Sequence, residues 1–404
     1  TLKNPRMRIA IALVLLAGGI GYQVLASPGY LHMYDFRFDF IPASREAWSG
    51  HSPYQRLHVG PPGTVVGAFL DTPVLLWLLG PLAALPITVS QWIWLGLELS
   101  ALVTTIIVLY RSIGRPRLAE LAVTITILCL FLPLKDSLDD GQTGVFVACA
   151  LACALDSHLR GRGTVAGLFI GFAIAIKAFP VLALVYFIWR RDRAAVVASL
   201  VTVGALSGAT LLTGWSAYWS PFFYNIQALS NGSAQLLNQS LNGLVLRALV
   251  PSAYGSPVAF PGWGVRFAWF ATQVALAASV GLTAIKVKLG HPLVDWTRFG
   301  LLLLAIPMVL PFAWIHHYAE AVLLIPLWVR AASTGLADTW ALVLVVLLLS
   351  LSFVLVIPTY FAALPFEGRP IWQHPELLAG SLALLCAVTW IPAHLGLRSG
   401  PATR

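Results

Sequence analysis

Charge is what this chain has least of. Lys, Arg, Asp and Glu make up 10% of its 404 residues and 58% are hydrophobic, whereas a soluble domain carries roughly 25% charged residues. A water-surrounded globule is therefore excluded, and an integral membrane protein is the class that remains. Cysteine is almost as scarce. Cys129, Cys149, Cys153 and Cys386 all lie within apolar runs, with no CxxC pair and no histidine at ligand spacing. They read as small buried hydrophobes rather than as disulfides or metal ligands. HExxH is absent, and no metal or other cofactor is expected. The formal net charge of +9 is dispersed in short clusters between apolar runs, which fits basic cytoplasmic loops and not a nucleic-acid surface.

What the chain does have is apolar runs long enough to cross a bilayer, recurring from residue 9 to residue 397 with short polar breaks. A span needs about 20 such residues. The runs 9–27, 88–110, 119–134, 143–158, 194–213, 265–285, 299–314, 318–331, 339–360 and 377–397 qualify, with 9–27 read as a retained span rather than a cleaved signal peptide. The run 164–189 holds Lys177 and Pro180 near its middle. A single crossing there would put "RGRG" (160–163) and "RRDR" (190–193) on opposite sides, against the charge rule, so two half-helices returning to the cytoplasm are expected. Each half, about 13 residues or roughly 20 Å, reaches mid-bilayer. The segment 69–85 is expected to lie at the outer surface. The fold class is thus all-α, a single polytopic domain over 1–404 with about twelve membrane segments including the re-entrant pair. Both termini are expected in the cytoplasm of a plasma-membrane protein. The outer loops 28–87 and 214–264 then carry most of the acids, amides and aromatic side chains.

Four stretches on that outer face, and one lysine within the membrane, can carry chemistry. "DFRFDFIPASREAWSG" sets Asp35 and Asp39 ahead of Ile41, Arg45 and Trp48, whose spacing suits a short amphipathic helix on the membrane, and Asp39 can cap it. "KDSLDDGQTG" (135–144) reads as a tight turn containing Asp140, with Gln142 at the start of the following helix and able to point into a polar cavity. "NQSLNGLVLR" offers Asn238, Gln239 and Arg247 to a sugar or a phosphate. Asn231 and Asn238 also match glycosylation acceptor patterns. "PFAWIHHY" places Trp314 beside His316 and His317, which point to different faces of a helix. Lys177, deep in the bilayer, needs an anionic partner such as a lipid phosphate. A carboxylate on one wall and cations on another suit a hydroxyl deprotonated by an acid while an anionic leaving group is stabilised.

These stretches together, "DFRFDFIPASREAWSGHSPY", "DDGQTG", "RGRGTVAGLFIGFAIAIKAFPVLALVYFIWRRDRA", "NQSLNG" and "PFAWIHHY", occur in an order that resembles the polyprenol-phosphate-mannose-dependent mannosyltransferases of the GT-C superfamily, glycosyltransferase family 87. The resemblance implies inverting transfer of a sugar, usually mannose, from a polyprenyl monophosphate to a lipid or lipoglycan acceptor on the outer face. It implies Asp35 as general base, with Asp39 the second candidate, since "DF" followed by a helix and G-x-x-P-Y matches the family's first-loop motif. Lys177, His316, His317 and Arg247 are implied at the donor phosphate, and Asp140, Gln142, Asn238, Gln239 and Trp314 around the substrates. The family also includes arabinofuranosyl transfer, so the sugar stays open. A transporter or flippase using the same cavity is the rival from another class, against which stands the lack of a second broken pair in the other half.

Overall fold

The computed structural model describes residues 33–54, 69–229, 238–240, 242 and 292–333. Everything regular within them is helical. The expected spans 9–27, 265–285, 339–360 and 377–397 lie outside the described residues, as do Asn231, Arg247 and Cys386.

A five-residue π-helical turn, Phe36–Phe40, runs directly into α1, Ile41–Trp48. Helix α1 buries Ile41, Ala43, Ser44 and Ala47 against two short helices, α2, Pro73–Leu78, and α3, Gly80–Ala83. Thr72 caps α2 by accepting from Leu75 N at 3.3 Å, and Pro73 opens it, both common helix-start devices. Arg45 closes α3 by donating to the carbonyls of Ala83 at 2.8 Å and Leu85 at 2.9 Å, groups that a helix end leaves unpaired.

Among the described residues three helices are long and apolar enough to cross a membrane: α4, Ile87–Ile113, α10, Arg193–Leu212, and α12, Pro292–Val309. Between them lie α5, Leu118–Leu130, α6, Leu132–Asp139, α7, Gly144–Leu159, α8, Gly163–Ile176, α9, Leu184–Trp189, and, after α10, α11, Ser216–Leu229. The expected run 119–134 is bent. Helices α5 and α6 meet at 62°, because Pro133 cannot continue the first helix and starts the second instead. The acids of the expected 135–144 turn are therefore partly helical, and the true turn is 140–143.

The run 164–189 divides at Lys177, whose backbone is extended. Helix α8 ends there, and a 3₁₀ turn, Phe179–Ala183, leads into α9. Helix α12 begins seven residues before the expected 299. The polar Asp295 and Arg298 fall outside any apolar window, yet the helix includes them because Asp295 accepts from Tyr186 Oη at 3.0 Å and pairs with Arg190 at 3.3 Å. The expected span 318–331 opens as a 3₁₀ segment, Ile315–Leu323, before α13, Leu324–Ser333.

Helix α8 packs on α10 through Gly167 and Gly171. A methyl group at Gly171 would lie 2.5 Å from Thr202 Cβ and one at Gly167 2.6 Å from Ala198 Cβ, the small-residue approach that lets apolar helices touch backbone to backbone. Gly171→Val is expected to cost about 1–3 kcal/mol through overpacking. Thermal unfolding in detergent should show a lower midpoint, and an unchanged midpoint would contradict this packing.

Candidate functional site

The site begins with two aromatic rings. Phe36 is fully buried and stacks on Trp94 with centroids 5.0 Å apart. The Trp94 indole donates to Gly141 O at 2.9 Å, and Phe36 N donates to Asp140 O at 3.0 Å. Gly141 has φ +68°, and a Cβ there would stand 2.6 Å from Phe36 Cβ, so only glycine fits this contact. The stretch around Asp35 and the 140–143 turn are thereby locked together.

That lock delivers Gln142, itself buried, to Asp35. Gln142 Nε2 donates a short hydrogen bond to Asp35 Oδ2, and Gln142 Oε1 accepts from Lys177 Nζ at 3.3 Å. One amide thus joins the carboxylate of the first stretch to the ammonium at the break after α8. Burial raises the Asp35 carboxyl to about 7; the Gln142 hydrogen bond opposes this, and the charges of Asp39, Asp71 and Asp136 add to it. Burial likewise raises Asp140, to about 9, helped by Asp136 and Asp35, so Asp140 carries a proton at neutral pH.

Asp39 has a different setting. The helix that it was expected to cap already runs from residue 34, so Asp39 lies inside it with no free N–H to receive. Capping is excluded by that register. Asp39 is exposed, four residues from Asp35 on the same helical face, and the two side chains share a hydrogen bond. Burial raises its carboxyl as well.

Gln142 and Lys177 line a cavity of about 380 Å³ together with Asp71, Phe179, Trp314, His316 and His317. The adjacent histidines are distinct in role. Trp314 N donates to His317 Nδ1 at 3.0 Å, which places the neutral ring's proton on Nε2. His316 Nδ1 instead faces Asp136 at 3.6 Å and Asp140 at 4.0 Å. Burial, then the Lys177 charge, pushes both imidazoles well below their ordinary range, so both are neutral at pH 7 and the contacts of His316 are polar rather than ionic.

Asn238 and Gln239 are also buried near this wall, but their bonds serve the chain itself. Asn238 Nδ2 donates to Pro311 O at 2.9 Å, its Oδ1 accepts from Ala313 N at 3.0 Å, and Gln239 N donates to Ala313 O at 2.7 Å. They hold the 311–313 turn that presents Trp314 and the histidines. Asp35, Asp140 and His316 also bring one potential ligand atom each within 4.8 Å of one another. Sequence reading missed two acids here. Asp71 lies in "FLDTP", where an acid interrupts an apolar stretch; burial raises its carboxyl and Lys177 opposes that. Asp136 falls in the stretch that the sequence presents as a turn, where an acid carries no distinguishing signal.

Likenesses to one family, two relatives and one solved structure accompany this geometry. The family model for glycosyltransferase family 87 matches residues 69–311. A polyprenol-phosphate-mannose-dependent alpha-(1-2)-phosphatidylinositol pentamannoside mannosyltransferase of Mycolicibacterium smegmatis is 30% identical over 251 residues, 61% of this chain and 57% of that protein. A polyprenol-phosphate-mannose-dependent alpha-(1-2)-phosphatidylinositol mannoside mannosyltransferase of Mycobacterium tuberculosis is 26% identical over 189 residues, 46% of this chain and 41% of that protein. The chain spans about half the length of the curated relatives it matches. A crystal structure of ArnT from Cupriavidus metallidurans bound to undecaprenyl phosphate aligns with a TM-score of 0.47 at 15% identity, covering 97% of this chain and 77% of that one.

Proposed function

This chain belongs to glycosyltransferase family 87, and from that premise we propose that it transfers mannose from a polyprenyl monophosphate to a hydroxyl of a lipid or lipoglycan acceptor. The reaction takes place at the outer face of the plasma membrane and inverts the anomeric centre. The activities for which the two mycobacterial relatives are named, both mannosyl transfers to phosphatidylinositol mannosides, favour mannose over arabinofuranose and a glycolipid over a polymer.

The observation that carries the reading is the Asp35–Gln142–Lys177 series, in which a carboxylate is hydrogen-bonded through Gln142 to a cation, and the amide and the cation both line the cavity. Two hydrogen bonds of about 3 Å on either side of one amide hold carboxylate and ammonium no more than roughly 8 Å apart. That span accommodates an acceptor oxygen, the anomeric carbon and a departing phosphate oxygen in line. Asp35 takes the acceptor proton as the new O–C1 bond forms. The C1–O bond to phosphate breaks on the opposite side, and the polyprenyl phosphate leaves with its negative charge facing Lys177 Nζ and the His317 Nε2–H. Neutral His317 serves this purpose as a hydrogen-bond donor, while His316, turned to Asp136 and Asp140, supports the wall. Trp314 offers a ring for the sugar to stack on.

A base near 7 is poised for work at neutral pH. Below about pH 7 Asp35 takes up a proton and the base is lost, so kcat/KM is expected to fall about tenfold per pH unit there and to level off above. Asp39→Asn removes a charge that raises Asp35, so its acid limb should move to lower pH. A profile flat from pH 5 to 8 would remove Asp35 as the titrating base.

The direct test incubates the purified protein with labelled polyprenyl-phosphate-mannose and phosphatidylinositol mannosides. Label in a longer glycolipid is expected. Movement of unchanged donor across a vesicle without transfer would replace the enzyme reading by a transporter.

A further inference from the structure

We infer that Gln142 is a positioning residue whose amide couples the cation of the donor pocket to the catalytic base, so that Lys177 orients Asp35 through it; this rests on the transferase reading above. An ammonium offers only donors, so the amide oxygen of Gln142 must face Lys177. With the oxygen committed, the amide nitrogen is the atom left for Asp35, and it can only donate. The amide therefore cannot flip while Lys177 is in place. Asp35 Oδ2 is held as an acceptor, which leaves the other carboxylate oxygen to receive the proton of the attacking hydroxyl.

The backbone gives Gln142 no alternative place. Gln142 N donates to Ser137 O at 2.7 Å, and the preceding residue, Gly141, is pinned by Trp94. Gln142 is 3% exposed, so water does not substitute readily for either partner. The amide is the hydrogen-bonded route from the cation to the base.

The test is a kinetic comparison of Gln142→Met and Gln142→Glu in the full chain, with thermal unfolding measured for each. Gln142→Met removes both hydrogen bonds and is expected to lower kcat about tenfold or more while donor KM changes less than threefold. Gln142→Glu keeps the length and still accepts from Lys177, but sets a carboxylate against Asp35. It should unfold no earlier than Gln142→Met and yet lose more activity. In an Asp35→Asn background, where no base remains to be oriented, Gln142→Met should cost less than threefold.

The inference is overturned if Gln142→Glu is the more active of the two, or if Gln142→Met costs as much in the Asp35→Asn background as alone, since a purely structural role predicts both. Failure of the transferase reading is a separate outcome: the wild-type chain itself would then transfer no mannose to the acceptor, whatever the Gln142 variants do.

Discussion

Asp35→Asn is expected to reduce mannosyl transfer by roughly 10²–10⁴-fold, the usual contribution of a positioned general base. The substitution is nearly isosteric, and the Asn carbonyl can still accept from Gln142 Nε2, so the bridge to Lys177 and the thermal midpoint should survive. Loss without unfolding would therefore report on proton transfer itself. Asp39→Asn is the matched comparison. It lies four residues away in the same helix and carries the same charge, but it is exposed and has no bond to Gln142, so activity within about tenfold of wild type is expected, since it removes no group in the proposed proton transfer. Initial rates at saturating donor, read as labelled glycolipid formed, separate the two. Full activity in Asp35→Asn with loss in Asp39→Asn would exchange their roles.

Lys177→Met is the second large effect, with an expected loss of about 10²–10³-fold in kcat. Two unit charges 4 Å apart interact by about 4 kcal/mol at an effective dielectric constant near 20, enough for a thousandfold change in rate. Part of that is already present in the ground state, because the donor is itself an anion, so donor KM should rise as well. The fraction appearing in kcat reflects charge that grows on the bridging oxygen as the bond breaks. Lys177→Arg should not restore activity. Lys177 is 6% exposed, and its ammonium is hydrogen-bonded to Gln142 and 5.6 Å from the Phe179 ring centroid; a planar guanidinium does not fit a site built around a point charge. Substantial activity in Lys177→Met would move the phosphate to the histidine side of the cavity and remove Lys177 from the mechanism.

Much of the architecture was legible because it depends on short-range rules. A run of apolar residues of bilayer length must be helical to satisfy its own backbone, and α4 and α10 lie where hydropathy places them. The break at Lys177 followed from Pro180 and a charge in an apolar run. Where reading failed, a tertiary contact had overridden a local rule. Helix α12 extends through Asp295 and Arg298 because Tyr186 and Arg190 satisfy Asp295 from another helix. Asp39 looked like a cap because the helix was expected to start after it. The π-helical turn at Phe36–Phe40, with Phe36 seated against Trp94, starts the helix earlier and turns Asp39 outward.

By itself, the sequence determined the class of protein, the positions of two of the three crossing-length helices among the described residues, and the inventory of acids, amides and histidines available to a site. Only the tertiary structure decided which of them work together. The Asp35–Gln142 bond joins residues 107 positions apart and the Gln142–Lys177 bond residues 35 apart, and no periodicity carries information over such distances. The proposed choice of Asp35 over Asp39, and of His317 over His316 as the donor, rests on which way one side chain faces and what its neighbour already offers it. Those directions are settled by packing and by hydrogen-bond polarity, which exist only once the helices have met.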